Sequence, residues 1–322
     1  QNKTNIMLKI TAELRNPQGV VEENLNTLGY DIDATDTMKK EITSLGLNNN
    51  NVNCKLSNKT NEEDISLDTR VTLNLFEDLK YDLKSIRTGA LVKPIYLSKL
   101  PKDLKKIKST KTKKDTFIKI VMPLILDENN KILENRKKLF KILAKPNNTR
   151  GERLWLKRRF EDYGIKNEDI TELKIRMDIV PVSIAIAQAA KESGWGTSRF
   201  ALEGNALFGQ WTWEGEGIKP SGADTNSTHK VMKFKVLKAS VRAYIRNLNT
   251  HRSYKSFRRE RAEQRDNFEK FNSLELANHL DKYAETGKEY VRILKQIIKQ
   301  NSLTDFDDAK ILPTTTQLKS SI

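Results

Sequence analysis

Glu192 closes the run IAIAQAAKE (184–192) and is followed at once by Ser193, Gly194, Trp195 and Gly196. Three of the chain's four tryptophans (Trp195, Trp211, Trp213) and half of its 14 glycines fall between Gly194 and Gly222. The run before the glutamate is too small and too apolar for a surface helix, so a buried helix is expected there. Ser193-Gly194 ends it, and Pro181 suits its first turn, which puts Glu192 in the last turn. A carboxylate in that place opposes the negative end of the helix dipole, and a flanking indole would strip it of water. Both effects push its pKa upward, as a proton donor working near neutral pH requires. A glutamate kept protonated beside tryptophan can protonate a leaving sugar oxygen. Taken alone, however, a glutamate at a helix end also fits a solvent-exposed position.

Other chemistry-bearing residues are scattered. His229, His251 and His279 have no metal-ligand spacing, and no glycine loop suits a phosphate, so neither a metal nor a cofactor is expected. His251 follows Asn249-Thr250 at a helix junction, where a structural hydrogen bond is the expected role. The single cysteine, Cys54, lies in a strand-like segment and reads as core. It excludes an internal disulfide, which fits the cytosol or an envelope protein without disulfides.

The net charge of +16 favours polyanions, although a lysine-rich composition with abundant Asn and Ile accounts for much of it. Nucleic acid is not expected as a partner, since no basic helix is interleaved with base-stacking aromatics. The longest apolar run, IVMPLIL (120–126), is too short to cross a bilayer. The chain opens at Gln1 with no secretory pattern, which leaves room for a leader or membrane anchor upstream. Composition says nothing of the oligomeric state.

The elements that must position Glu192 begin at about residue 115. Phe117, Val121 and Ile125 form one helical stripe, which Pro123 should kink or split. Ile132, Leu139, Phe140 and Leu143 form a second, and WLKRRFEDYGI (155–165) ends at Gly164. Glu203 is expected on a short helix, where it caps or faces solvent. Leu237, Val241, Tyr244, Ile245 and Leu248 share a face, as do Tyr290, Ile293, Leu294, Ile297 and Ile298. Residues 205–236, rich in Gly, Trp and Thr, interrupt the helices, and VMKFKV (231–236) has strand character, so a β-hairpin lobe is expected. Residues 1–90 differ: NIMLKI, NVNCKL and RVTLNL alternate as half-buried strands, and DATDTMKKEITSLG reads as a helix. They read as a small α+β module of unassigned role. Residues 91–114, with nine lysines and two prolines, read as a connector or exposed arm, and 303–322 as an extended tail.

The window ESGWGTSRFALEGNALFGQW resembles the bacterial Bax-type proteins and, more distantly, the β-N-acetylglucosaminidases of glycoside hydrolase family seventy-three. KASVRAYIRNLNTHRSYKSFR (238–258), KYAETGKEYV (282–291) and YLSKLPKDL (96–104) are similar in order and spacing, so the resemblance covers about 95–302. It implies a mainly α, lysozyme-like helical domain at 115–302 with a small β-hairpin lobe and a groove between them. The implied activity is hydrolysis of the β-1,4 bond after N-acetylglucosamine in peptidoglycan glycan strands. The implied location is the cell envelope, periplasmic or secreted, with or without an inner-membrane anchor.

By the same resemblance Glu192 matches the catalytic acid, Asn205, Phe208 and Gly209 match the groove-lining N-x-L-F-G element, and Tyr283 matches the late tyrosine facing the site. Trp195, Phe208, Trp211 and Tyr283 would suit the apolar faces of sugars, while Gln188, Asn205 and Gln210 would hydrogen-bond polar groups such as the acetamide. For each aromatic, core packing is the competing role. Family relatives often place a second glutamate in the β-lobe. At the corresponding distance this chain has Asp224, Asn226 and Lys230, with Glu214 and Glu216 earlier. Glu216 or Asp224 is the candidate base, and assistance by the substrate's own N-acetyl group would need neither. A lytic transglycosylase or muramidase on the same fold, or a peptidoglycan-binding protein without turnover, are the competing readings.

Overall fold

The computed structural model describes residues 68–212, 217–218, 230–267 and 270–313. The expected strands NIMLKI and NVNCKL, the helix between them and Cys54 lie outside the described residues.

The first described helix, α1 (Thr69–Asp78), occupies RVTLNL, the segment expected to be a strand. Asp68 caps it by accepting from the Val71 amide, and Thr69, Thr72, Leu75 and Phe76 are the buried positions. Those positions recur at helical intervals, and six alternating residues were too short a window to separate the two periods. The short helix α2 (Leu83–Arg87) comes next. Its Arg87 is paired with Asp305 at 2.8 Å and donates to the Asn301 carbonyl. Residues 69–90 thus pack with the C-terminal end of the helical body, where a separate α+β module to residue 90 had been expected.

The lysine-rich stretch after α2 is no exposed arm. Leu97, Leu100 and Leu104 are buried, and Asp103 holds the start of α1 by accepting from the Thr69 amide and hydroxyl. Val92 forms a parallel bridge with Ile311, and the Leu237 amide donates to the Ser98 carbonyl. The lysines point outward while the leucines between them enter the core. The C-terminal stretch is likewise tied down: Leu303–Phe306 is a 3-10 turn with both end residues buried. Residues 314–322 lie outside the described residues.

One helix, α3 (Thr110–Leu143), replaces the two expected around Pro123. Its 34 residues span about 51 Å. An interior proline costs roughly 3 kcal/mol. Against it, Phe117, Ile118, Ile120, Val121, Met122, Leu124, Ile125 and Leu126 are buried, each contributing about 1.5–3 kcal/mol. Burial outweighs the missing hydrogen bond, so the helix continues.

The helix α4 (Arg150–Asp162) opens with a capping box between Thr149 and Glu152, and α5 (Ile170–Arg176) is capped by Asp169. The central helix α6 (Val182–Ser193) and the short α7 (Arg199–Gly204) lead into the sheet. Strands β1 (Trp211–Thr212), β2 (Gly217–Ile218) and β3 (Lys230–Met232) are antiparallel in the order β1-β3-β2, pairing Trp211 with Val231 and Gly217 with Met232. A Cβ on Gly204 would lie 2.7 Å from Ile218 Cδ1, so glycine lets the sheet close on α7. After the sheet come α8 (Leu237–Thr250), α9 (Lys255–Asn267), α10 (Ser273–Leu276), a 3-10 segment Ala277–Tyr283 and α11 (Lys288–Gln300). The body is mainly α with a small β-lobe, as expected. Among the described residues no helix is long and apolar enough to cross a membrane.

A buried charge cluster fixes the turn into α6. Asp178, 2% exposed, accepts from Arg265 at 2.5 and 3.0 Å and lies 3.8 Å from Arg136. Burial raises its pKa, but the surrounding guanidiniums of Arg261, Arg265 and Arg136 outweigh that and hold it below the usual range. Its own stabilising effect is therefore present above the ordinary aspartate range and is lost as pH falls through the depressed pKa. Asp178→Ala should cost about 3–5 kcal/mol, because it leaves buried guanidinium without a counter-charge. Urea unfolding at pH 7 reads the loss, and a loss below 1 kcal/mol would show that the cluster is not a structural centre.

Candidate active site

The helix α6 ends as its sequence predicts. Gly194 adopts φ +57°, its amide donates to the Ala190 carbonyl, and Ser193 Oγ accepts from the Gly196 amide at 2.9 Å. Glu192 is thereby placed in the last turn and is half-buried. Its pKa is raised, chiefly by burial; a hydrogen bond from Tyr290 and the nearby Lys191 ammonium oppose the rise. A carboxyl so placed can hold a proton to higher pH than a surface glutamate and release it to a bound base.

Among the described residues, the aromatic groups that act on this carboxyl are tyrosines, where the sequence pointed to indole. Tyr254, Tyr283 and Tyr290 all feel its charge. Tyr283 and Tyr290 stack with centroids 5.4 Å apart, and Tyr254 lies 5.9 Å from Tyr283. Trp195 belongs to another contact: it meets Phe117 edge-on at 5.8 Å, and the Lys114 ammonium sits 4.8 Å from its ring centre.

Several residues expected to bind substrate have partners inside the protein. Phe208 is 1% exposed and stacked on Tyr244 at 3.8 Å, so its ring offers no face to a sugar. Asn205, 4% exposed, has φ +51° and uses its amide nitrogen on the carbonyls of Phe234 and Lys235, which ties α7 to the segment after β3. Gln188 is fully buried between Tyr244 and Tyr290. Gln210 donates to the Ala243 carbonyl at 3.3 Å. All four are polar or aromatic groups whose partners come from distant segments, which spacing along the chain cannot reveal.

Others stay at the site. Tyr283 is half-buried and donates to the Phe208 carbonyl at 2.9 Å, fixing the chain beside Gly209. Gly209 faces the carboxyl: at φ +61°, an added Cβ would lie 3.1 Å from Glu192 Oε2. The backbone of Trp211 opens β1 beside this loop. The candidate bases Glu216 and Asp224, with Glu214 and Trp213, lie outside the described residues. Glu203 is exposed and 3.8 Å from Arg199, in keeping with a surface role. His251 accepts from the Ser253 amide, the structural bond expected of it.

Tyr244, Tyr254 and Tyr290 were read only as helix faces or not at all. A tyrosine on an otherwise aliphatic buried face is itself a signal, because its hydroxyl must find a partner. The motif segments converge on α6. Ser240 Oγ accepts from the Leu207 amide, Tyr244 stacks on Phe208, and Tyr283 and Tyr290 close over the helix.

A family model described as Glucosaminidase, mannosyl-glycoprotein endo-beta-N-acetylglucosaminidase, matches residues 167–303. Protein bax of Escherichia coli (strain K12) is 35% identical over 213 residues, which is 63% of this chain and 75% of that protein. The chain belongs to the glucosaminidase family. It is accordingly a glycoside hydrolase, and the matched segment contains every residue described above around Glu192. The catalytic domain of the autolysin Auto from Listeria monocytogenes is similar at 20% identity and a TM-score of 0.32, covering 54% of this chain and 97% of that one. Helices α1 to α4 precede the segment that matches the glucosaminidase model.

Two outcomes are expected of this glucosaminidase. Because the Glu192 pKa is raised in the fold, protonation stabilises the protein at low pH and that contribution is lost as pH rises. Glu192→Gln should therefore raise the melting temperature at pH 8 relative to wild type, with the gap closing below pH 4; an equal gap at both pH values would contradict the burial of the carboxyl. Gly209→Ala should cost about 1–2 kcal/mol for a side chain at positive φ. It should also displace the carboxyl and lower turnover at least tenfold, measured beside a thermal melt that confirms folding.

Proposed function

We propose that the chain is a peptidoglycan hydrolase of the cell envelope that cleaves the β-1,4 bond after N-acetylglucosamine, with Glu192 as general acid. The observation that carries this reading is a half-buried carboxyl with a raised pKa at a helix end, ringed by tyrosines and faced by glycine. Membership of the glucosaminidase family supports the substrate class.

In this mechanism Glu192 gives its proton to the glycosidic oxygen as the bond to the anomeric carbon breaks. The developing positive charge at that carbon is met by a water molecule, or first by the substrate's N-acetyl oxygen. Glu216 or Asp224 is the base that would take the water's proton in the first course, and the second course needs neither. Tyr283 acts on the carboxyl and is half-buried, and its ring suits a sugar's apolar face. The net charge of +16 favours an acidic wall polymer over a neutral one.

Purified sacculi treated with wild type should lose turbidity and release muropeptides ending in reducing N-acetylglucosamine, identified by mass spectrometry. Glu192→Gln should lower release by at least a hundredfold, the contribution of a general acid being about 100- to 10,000-fold. Retained release in that variant would remove Glu192 from its role. Anhydro-muramoyl ends would indicate a lytic transglycosylase, and binding without release a protein that has lost turnover.

A further inference from the structure

Three buried side chains lead in single file to the candidate acid. The Tyr244 hydroxyl donates to Gln188 Oε1 at 2.6 Å, and Gln188 Nε2 donates to the Tyr290 hydroxyl oxygen at 3.0 Å. Glu192 stands one helical turn beyond Gln188 on α6, so its carboxyl lies on the face where the Tyr290 hydroxyl sits, and that hydroxyl favours its ionised form. Gln188 and Tyr244 are fully buried and Tyr290 is 1% exposed, so water does not compete for these groups.

The chemistry of the amide gives the file a direction. Gln188 Oε1 can only accept and Nε2 can only donate. Tyr244 must therefore supply its proton to the oxygen, and Tyr290 must receive from the nitrogen. The single proton of Tyr290 is then left for Glu192. The Tyr244 ring is held against Phe208 by stacking at 3.8 Å, and Tyr290 against Tyr283 at 5.4 Å, so neither end of the file is free to turn.

We propose that Tyr244, Gln188 and Tyr290 form a one-way hydrogen-bond chain that positions the Glu192 carboxyl and stabilises the carboxylate left when its proton has gone to the leaving oxygen. Tyr290 and Gln188 are thus positioning residues, and the inference rests on the reading of Glu192 as general acid. A neutral donor suits this task. It favours the ionised state after transfer without placing a positive charge beside the oxocarbenium-like transition state. Successive donors also polarise one another, so the bond to Glu192 strengthens with the two behind it. Among the described residues, the other titratable groups that act on the carboxyl are Lys191 on its own helix, Tyr254, and Tyr283 at the end of the 3-10 segment. All of these remain when Tyr290 or Gln188 is changed.

The test is the pH profile of kcat/KM on purified sacculi, with the full chain, for wild type, Tyr290→Phe and Gln188→Met. In this profile the alkaline limb marks loss of the proton from the general acid. Tyr290→Phe removes a bond made to the ionised form, so Glu192 holds its proton to higher pH. The limb should move upward, with kcat lowered about ten- to a hundredfold, the strength of a bond to a charged group. Gln188→Met, which keeps the volume but ends the chain one step earlier, should move the limb the same way by less. Thermal melts accompany both variants, and Tyr290→Phe deletes one oxygen and should fold. An alkaline limb that stays in place or moves down in folded Tyr290→Phe overturns the inference, even if kcat falls. Activity retained in Glu192→Gln would instead overturn the general-acid reading itself.

Discussion

The burial of α6 is the constraint on which the site depends. Ten of its twelve residues are buried, and its alanines let α3, α11 and the 3-10 turn Leu303–Phe306 approach closely. Close approach on every side leaves little choice of where the helix ends. Its start is held by Asp307, which accepts from the Ser183 amide and hydroxyl, both at 2.8 Å, and from Ser273 at 2.6 Å. Its finish is held by the left-handed Gly194 and the Ser193 bond to Gly196. A carboxyl one residue before that finish is presented with the precision of the core rather than the looseness of a loop.

Tyrosine is the residue that makes the surroundings of Glu192 workable. An aliphatic ring of neighbours would desolvate the carboxyl without offering it a partner, while charged neighbours would fix its protonation outright. Tyr254, Tyr283 and Tyr290 do neither: each removes water with its ring and carries one hydroxyl whose own ionisation burial suppresses. With Tyr244 behind them, the four tyrosines come from α8, the 3-10 turn Arg252–Tyr254, the 3-10 segment Ala277–Tyr283 and α11. The site is a meeting point of separate elements, and it is complete only when all of them have docked on α6.

The buried arginines show the same economy away from the site. Arg258 and Arg261 are 1% and 0% exposed, and burial lowers both pKa values to about 10. Much of their charge is met by backbone dipoles: Arg258 donates to the carbonyls of Leu248 and His251, and Arg261 to those of Asp178, Ile179 and Ile175. These carbonyls belong to chain turns at the ends of α5 and α8, where helical partners have run out. Two residues that composition would count as surface charge are instead the fasteners that bring α9 onto the approach to α6.

From sequence alone, the ending of α6 and the place of Glu192 in its last turn were legible, because an apolar alanine run, a Ser-Gly stop and a preceding proline are local signals. The amphipathic faces of α8 and α11 were legible for the same reason. RVTLNL and Pro123 misled because local preference was outweighed by burial, which a short window does not contain. Phe208, Asn205 and Gln188 could be singled out by motif, but their types fit both a sugar and a protein partner. Only the tertiary structure decided between these. It brought Tyr244, Phe234 and Tyr290 to them across long stretches of chain, and a buried polar group takes whichever partner the fold delivers. The sequence alone determined where Glu192 stands; the fold decided what surrounds it.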